Sequence, residues 1–148
     1  MTVPEMTSGE AFAAVERSVE VPADAETAFT LFTDRIADWW PMATHSVHGD
    51  GGTVGFEEGR LVERHEGRTE CWGEVRRWDP PHGFALTWHP GRGAEEATEV
   101  EVSFTEEEQG RTRVRLVHSG WERRDAAARE SYATGWVAVL ARYVDAAG

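Results

Sequence analysis

Lysine and asparagine are absent from this 148-residue sequence, and cysteine occurs once, at Cys71. Without lysine there is no amine for a Schiff base, and without asparagine there is no N-glycosylation acceptor. A lone cysteine forms no internal disulfide, so the expected compartment is the cytoplasm. The longest strongly apolar stretch, 136–141, is far short of the roughly 20 residues of a membrane span. Residues 1–12 have neither the basic start nor the apolar centre of a signal peptide. Positive charge is scarce as well: 15 arginines face 27 acidic residues, a net charge of −12. Such a surface repels phosphate backbones and anionic membranes, which argues against a nucleic-acid partner. The all-arginine basic set and the single Ile36 are read as coding bias.

Aromatic residues, by contrast, are plentiful. Seven Trp and six Phe supply large flat surfaces, which either line a cavity or fill the core. The length suits one domain, expected over 12–148 behind a flexible tail at 1–11. Val15, Arg17, Val19 and Val21 alternate with Glu16, Ser18 and Glu20, the period of a half-buried strand ended by Pro22. Asp24 is placed to cap a helix carrying Ala28, Phe29, Leu31 and Phe32, and 36–40 reads as a second short helix stopped by Pro41. After a glycine-rich loop over 41–55, strands are expected at 53–57, 60–65, 69–78, 83–89, 98–105 and 111–119, separated by turn residues such as Glu58-Gly59 and Gln109-Gly110. Ala128, Tyr132, Trp136, Val139, Leu140, Tyr143 and Val144 then recur at helical spacing behind Asp125, predicting a C-terminal helix of about 20 residues whose aromatic stripe faces the sheet.

The order strand, two short helices, six strands, long helix resembles the helix-grip superfamily called SRPBCC, also START-like or Bet v-like. The details lean to its Aha-type branch, homologues of the activator of the Hsp-90 chaperone ATPase. The resemblance is carried by Val21 to Phe29, by Phe32-Thr33-Asp34 with Trp39-Trp40-Pro41, by Gly73-Glu74-Val75 running into Trp78-Asp79-Pro80-Pro81 and Leu86-Thr87-Trp88, and by Gly135-Trp136 with Leu140. It implies an α+β helix-grip fold, with a curved antiparallel sheet of six to seven strands wrapped around a long C-terminal helix and two short helices after strand 1. These motifs are structural and name no reaction.

The resemblance further implies a cavity between sheet and helix that receives a small hydrophobic molecule. No cofactor is expected. By alternation, the candidate ligand-cavity residues are Val75, Leu86, Trp88, Val102, Phe104, Leu116, His118, Tyr132, Trp136 and Leu140, with Phe84, Val100, Val114 and Tyr143 on the same inner surfaces. His118 is the first polar candidate, and the alternative is a core histidine bonded to backbone. Glu63 and His65 point inward only in one of two registers, and Arg17 and Arg77 are expected to snorkel to water. His45, His48 and Asp50 lack the framework of a metal site, so no metal is expected, and Gly49, Gly51 and Gly55 do not fit the dinucleotide fingerprint. Cys71 has no evident base. Three functions stay open: binding or sequestration of a hydrophobic ligand in natural-product metabolism or self-resistance, a polyketide cyclase or aromatase, and a co-chaperone-like protein-binding module.

Overall fold

A computed structural model describes residues 12–148, so the tail expected over 1–11 lies outside the described residues. The alternating segment at its start forms β1 (Val15–Val21), with both terminal valines buried. Pro22 ends it, and the Asp24 carboxylate accepts the Thr27 backbone N–H at 2.8 Å to start α1 (Ala25–Phe32). That helix buries Ala28, Phe29, Leu31 and Phe32. The second helix expected over 36–40 is instead a single 3-10 turn, Ile36–Asp38. The two indoles that follow explain the early stop. Trp39 donates to Leu31 O at 2.8 Å and Trp40 to His45 O at 2.7 Å, and these anchors turn the chain away from the helical path before Pro41.

The remaining strands are β2 (Thr53–Glu57), β3 (Arg60–His65), β4 (Arg68–Asp79), β5 (Gly83–Trp88), β6 (Thr98–Glu108) and β7 (Arg111–Ser119). They form one antiparallel sheet in the order β1-β7-β6-β5-β4-β3-β2. The first strand thus pairs with the last, and the meander between them curls around the interior. The outer face is charged, with exposed pairs such as Arg113–Glu107 and Arg77–Glu101, both at 2.7 Å. Each is worth about 0–1 kcal/mol, so these pairs add little stability. Arg77 therefore faces water as expected. Arg17 instead turns against the last helix, donating to Ala133 O at 2.9 Å.

α2 (Ala126–Ala147), capped by Asp125 on Ala128 N at 2.7 Å, lies across the concave face. It buries Trp136, Val139, Leu140 and Tyr143, and the Tyr143 hydroxyl donates to Ala28 O at 2.8 Å, tying the two helices together. Among the described residues no helix is long and apolar enough to cross a membrane.

The middle of this sandwich is full. Phe29, Phe32, Trp39, Phe84 and Phe104 meet edge to face or tilted, with ring centroids such as 5.2 Å for Phe29–Phe104 and 5.1 Å for Phe32–Trp39. Between Leu86, Val102, Leu116 and their neighbours only about 10 Å³ is empty, at most the room of one water.

β4 carries an irregularity where it meets β3. Leu61 pairs with Gly73 but Val62 pairs with Cys71, so Trp72 is an extra residue in the strand and its ring is buried. Gly73 lies so close to β5 that a Cβ would stand 1.7 Å from Thr87 O, which only glycine allows.

Candidate ligand cavity

At one end of the sheet the packing opens into a cavity of about 450 Å³, within the range of small-molecule sites. Its walls are Trp40, Trp72, Trp88, Tyr132 and Trp136, and its mouth is formed by the 44–47 segment, Pro90-Gly91 and the Ser131 to Gly135 face of α2. Four indoles, tilted 46–84° to one another, give an angular, polarizable apolar wall that meets a ring by face or by edge. They already lie close together, with centroids 5.3 Å apart for Trp40–Trp72 and for Trp88–Trp136.

The lip over the cavity is fastened by Glu63, which is 0% exposed. Its carboxylate accepts the backbone N–H of Val47 at 2.8 Å, that of His48 at 3.0 Å and the Trp72 indole at 3.1 Å. One side chain of β3 therefore sets both the loop and a wall ring. Ser46 adds bonds to Met42 O and Gly49, and His48 meets Glu70 at 3.2 Å. At the mouth, Thr44 Oγ1 lies 2.7 Å from His45 Nδ1, which leaves Nε2 as the nitrogen able to face a ligand. The His45 ring also passes over Gly135, where an added Cβ would be 3.6 Å from Nε2.

His118 stands behind the wall. Trp136 donates its indole N–H to Nδ1 at 2.9 Å, which assigns the ring proton to Nε2 and its bond to Thr98 Oγ1 at 2.6 Å. The Thr98 hydroxyl in turn donates to Trp88 O at 3.2 Å. Burial first, and the charge of Arg124 second, push the imidazole from its ordinary 6.5 to about 3. At neutral pH it is an uncharged strut that orients Trp136, with no nitrogen left for a ligand. Burial also raises the Tyr132 phenol above its ordinary value, so it remains a hydrogen-bond donor.

The family model for Activator of Hsp90 ATPase homolog 1-like protein matches residues 22–147. The chain belongs to this family. Among solved structures it is similar to Txn09, described as an anthrahydroquino-γ-pyrone synthase, with 31% identity over 89% of this chain and 95% of that one at a TM-score of 0.58. It is also similar to CalC, a self-sacrificing resistance protein from Micromonospora echinospora, with 26% identity over 91% of this chain and 94% of that one at a TM-score of 0.61. The Aha1 dimer from Colwellia psychrerythraea, 18% identical over 91% of this chain and 96% of that one at a TM-score of 0.67, shares the fold. No curated protein matches the chain. The family's helix-grip fold thus stands as expected, with neighbours named as a pyrone synthase and as a self-sacrificing resistance protein.

Within this family member the structure divides the ten residues expected to line a cavity. Trp88, Tyr132 and Trp136 do line it. Leu86, Val102 and Leu116 belong to the filled middle, Phe104 and Leu140 to the packed core beside it, and Val75 is half-buried on β4. His118 is the strut described above. The physical reason is that the phenylalanines of α1 and the sheet occupy the space between helix and strands, which confines the opening to one end. Sequence reasoning missed Trp40, Trp72 and Gly135 as cavity residues. The Trp39-Trp40-Pro41 run and the isolated glycine within a helical pattern were the available signals, whereas the bulge that turns Trp72 inward has none.

Proposed function

We propose that the protein binds a planar aromatic natural product of polyketide type in the tryptophan-walled cavity. The observation that carries this reading is that opening itself: about 450 Å³ walled by Trp40, Trp72, Trp88 and Trp136, in a domain whose interior is otherwise filled. Stacking on indole favours flat rings over flexible chains. The 31% identity to a protein named as a pyrone synthase and the 26% identity to a resistance protein support the same ligand class. The cytoplasmic setting expected from the single cysteine is part of this proposal.

The test is a tryptophan-fluorescence titration with a hydroxyanthraquinone, with palmitate as the flexible comparison. Saturable quenching by the anthraquinone alone is the expected result, and equal response to palmitate would refute the aromatic reading. The Gly135→Leu variant supplies the site control. Its side chain projects into the mouth, so affinity should fall at least about tenfold while helix propensity at that position improves.

A catalytic reading is favoured by one observation, the Thr44–His45 pair at the mouth. His45 Nε2 would exchange a proton with the bound molecule during cyclisation. His45→Gln is then expected to bind the ligand and fail to convert it, and unchanged conversion would remove His45 from the chemistry.

A further inference from the structure

Three indoles take part in two spaces at once. Trp40, Trp88 and Trp136 line the ligand cavity, and the same three residues border the void of about 10 Å³ in the filled middle of the domain. They come from distant parts of the chain: the segment before Pro41, the end of β5 and the centre of α2. Their rings close on one another, with centroids 5.3 Å apart for Trp88–Trp136, 6.0 Å for Trp40–Trp136 and 6.1 Å for Trp40–Trp88. All three are buried. The triangle is therefore a floor to the cavity, one ring thick.

What lies beneath the floor is apolar. Phe32, Ile36, Leu86, Val100, Val102 and Leu116 border the void on its far side, and all are buried. At about 10 Å³ the void has at most the room of one water and admits no part of an aromatic ring. The floor thus stands between a cavity of about 450 Å³ and a region whose walls suit more of an apolar ligand. Loss of one indole joins the two, because a tryptophan shortened to alanine vacates roughly the 150 Å³ of an apolar cavity that takes up benzene.

We propose that Trp40, Trp88 and Trp136 set the depth of the site, barring aromatic ligands from the space between sheet and helix, so that a longer ring system extends into the mouth instead. This rests on the aromatic-ligand reading above and adds the residues that select ligand size. Burying one further fused ring is worth about tenfold in affinity, and a ring left in the mouth gains only a small part of that.

Trp88 is the member to alter. The Trp40 indole N–H holds His45 O in the lip and the Trp136 indole N–H bonds to His118, whereas Trp88 carries neither attachment. The probes are anthraquinone and tetracenequinone, the second longer by one fused ring, each bearing the same hydroxymethyl group. The factor by which the extra ring raises affinity is expected to be at least about fivefold larger in Trp88→Ala than in the unaltered protein. Trp88→Leu, which vacates less space, should show the same change in smaller measure. Should neither variant fold, magnetization transfer between bound anthraquinone and methyl groups of the unaltered protein decides: Val139, in the cavity, is expected to respond, and Val102 and Leu116, beneath the floor, are not. Contact with Val102 or Leu116, or an extra-ring factor that is the same in the variants as in the unaltered protein, overturns the floor and leaves the aromatic reading standing. Failure of both probes to bind the unaltered protein overturns both.

Discussion

In the Glu63→Ala variant the unfolding free energy is expected to fall by about 3 kcal/mol. The wild-type carboxylate is fully buried and accepts three N–H donors, two from the backbone of the 41–52 loop and one from the Trp72 indole. Hydrogen bonds to a charged acceptor contribute about 1.5–3 kcal/mol each, but removing the carboxylate also ends its own desolvation cost, so the sum is well below three full bonds. The Trp72 indole, 1% exposed, is left without an acceptor, whereas the loop amides can turn to water. Glu63→Gln, which preserves one acceptor oxygen, should lose about half as much. Urea unfolding gives the stability change, and amide exchange at Val47 and His48 reports the lip. A stability loss below about 1 kcal/mol with unchanged exchange would show that other contacts hold the loop. Because Trp72 is a cavity wall, ligand affinity should fall together with lip protection.

A second large effect is expected on acidification. Unfolded His118 takes up a proton as pH falls through 6.5, but the folded imidazole resists protonation down to about 3. Within that window the unfolded state binds more protons, so stability declines as pH falls and is regained as pH rises to 6.5. At about 1.4 kcal/mol per pH unit, the loss attributable to this residue reaches about 3 kcal/mol near pH 4.5. His118→Gln should be less stable at neutral pH and should lack this part of the slope, other titrating groups being common to both proteins. Parallel stability curves for the two proteins between pH 6.5 and pH 4.5 would disprove the assignment. Trp136 fluorescence should follow the same transition, since its indole N–H is bonded to the imidazole.

Both effects arise from polar side chains inside an aromatic interior, and the sequence treated them differently. His118 was visible because Val114, Leu116 and His118 share one face of a cleanly alternating strand, which the structure pairs with Val15 on β1 and Val100 on β6. Glu63 stood in a strand whose alternation is broken, where Leu61, Val62 and Glu63 are all buried in succession. Two registers were open there, and only contact with the loop backbone chose between them. The same break displaces Trp72 from the face expected by parity.

What the sequence determined by itself is the sheet, its outer charged face and the long C-terminal helix, because these follow from periods of two and 3.6 residues and from local caps at Asp24 and Asp125. It also determined that many aromatic rings would meet inside. Whether those rings would close on one another or leave room was decided only in three dimensions. Volume is a property of side chains from five or more elements at once, and no local pattern encodes it. Phe29, Phe32, Phe84 and Phe104 fill the middle, while Trp40, Trp72, Trp88 and Trp136 continue the same core to the end where it opens. A bulge in β4, a 3-10 turn before Pro41 and a buried carboxylate under a loop hold them there, each set by long-range contacts that sequence spacing cannot express.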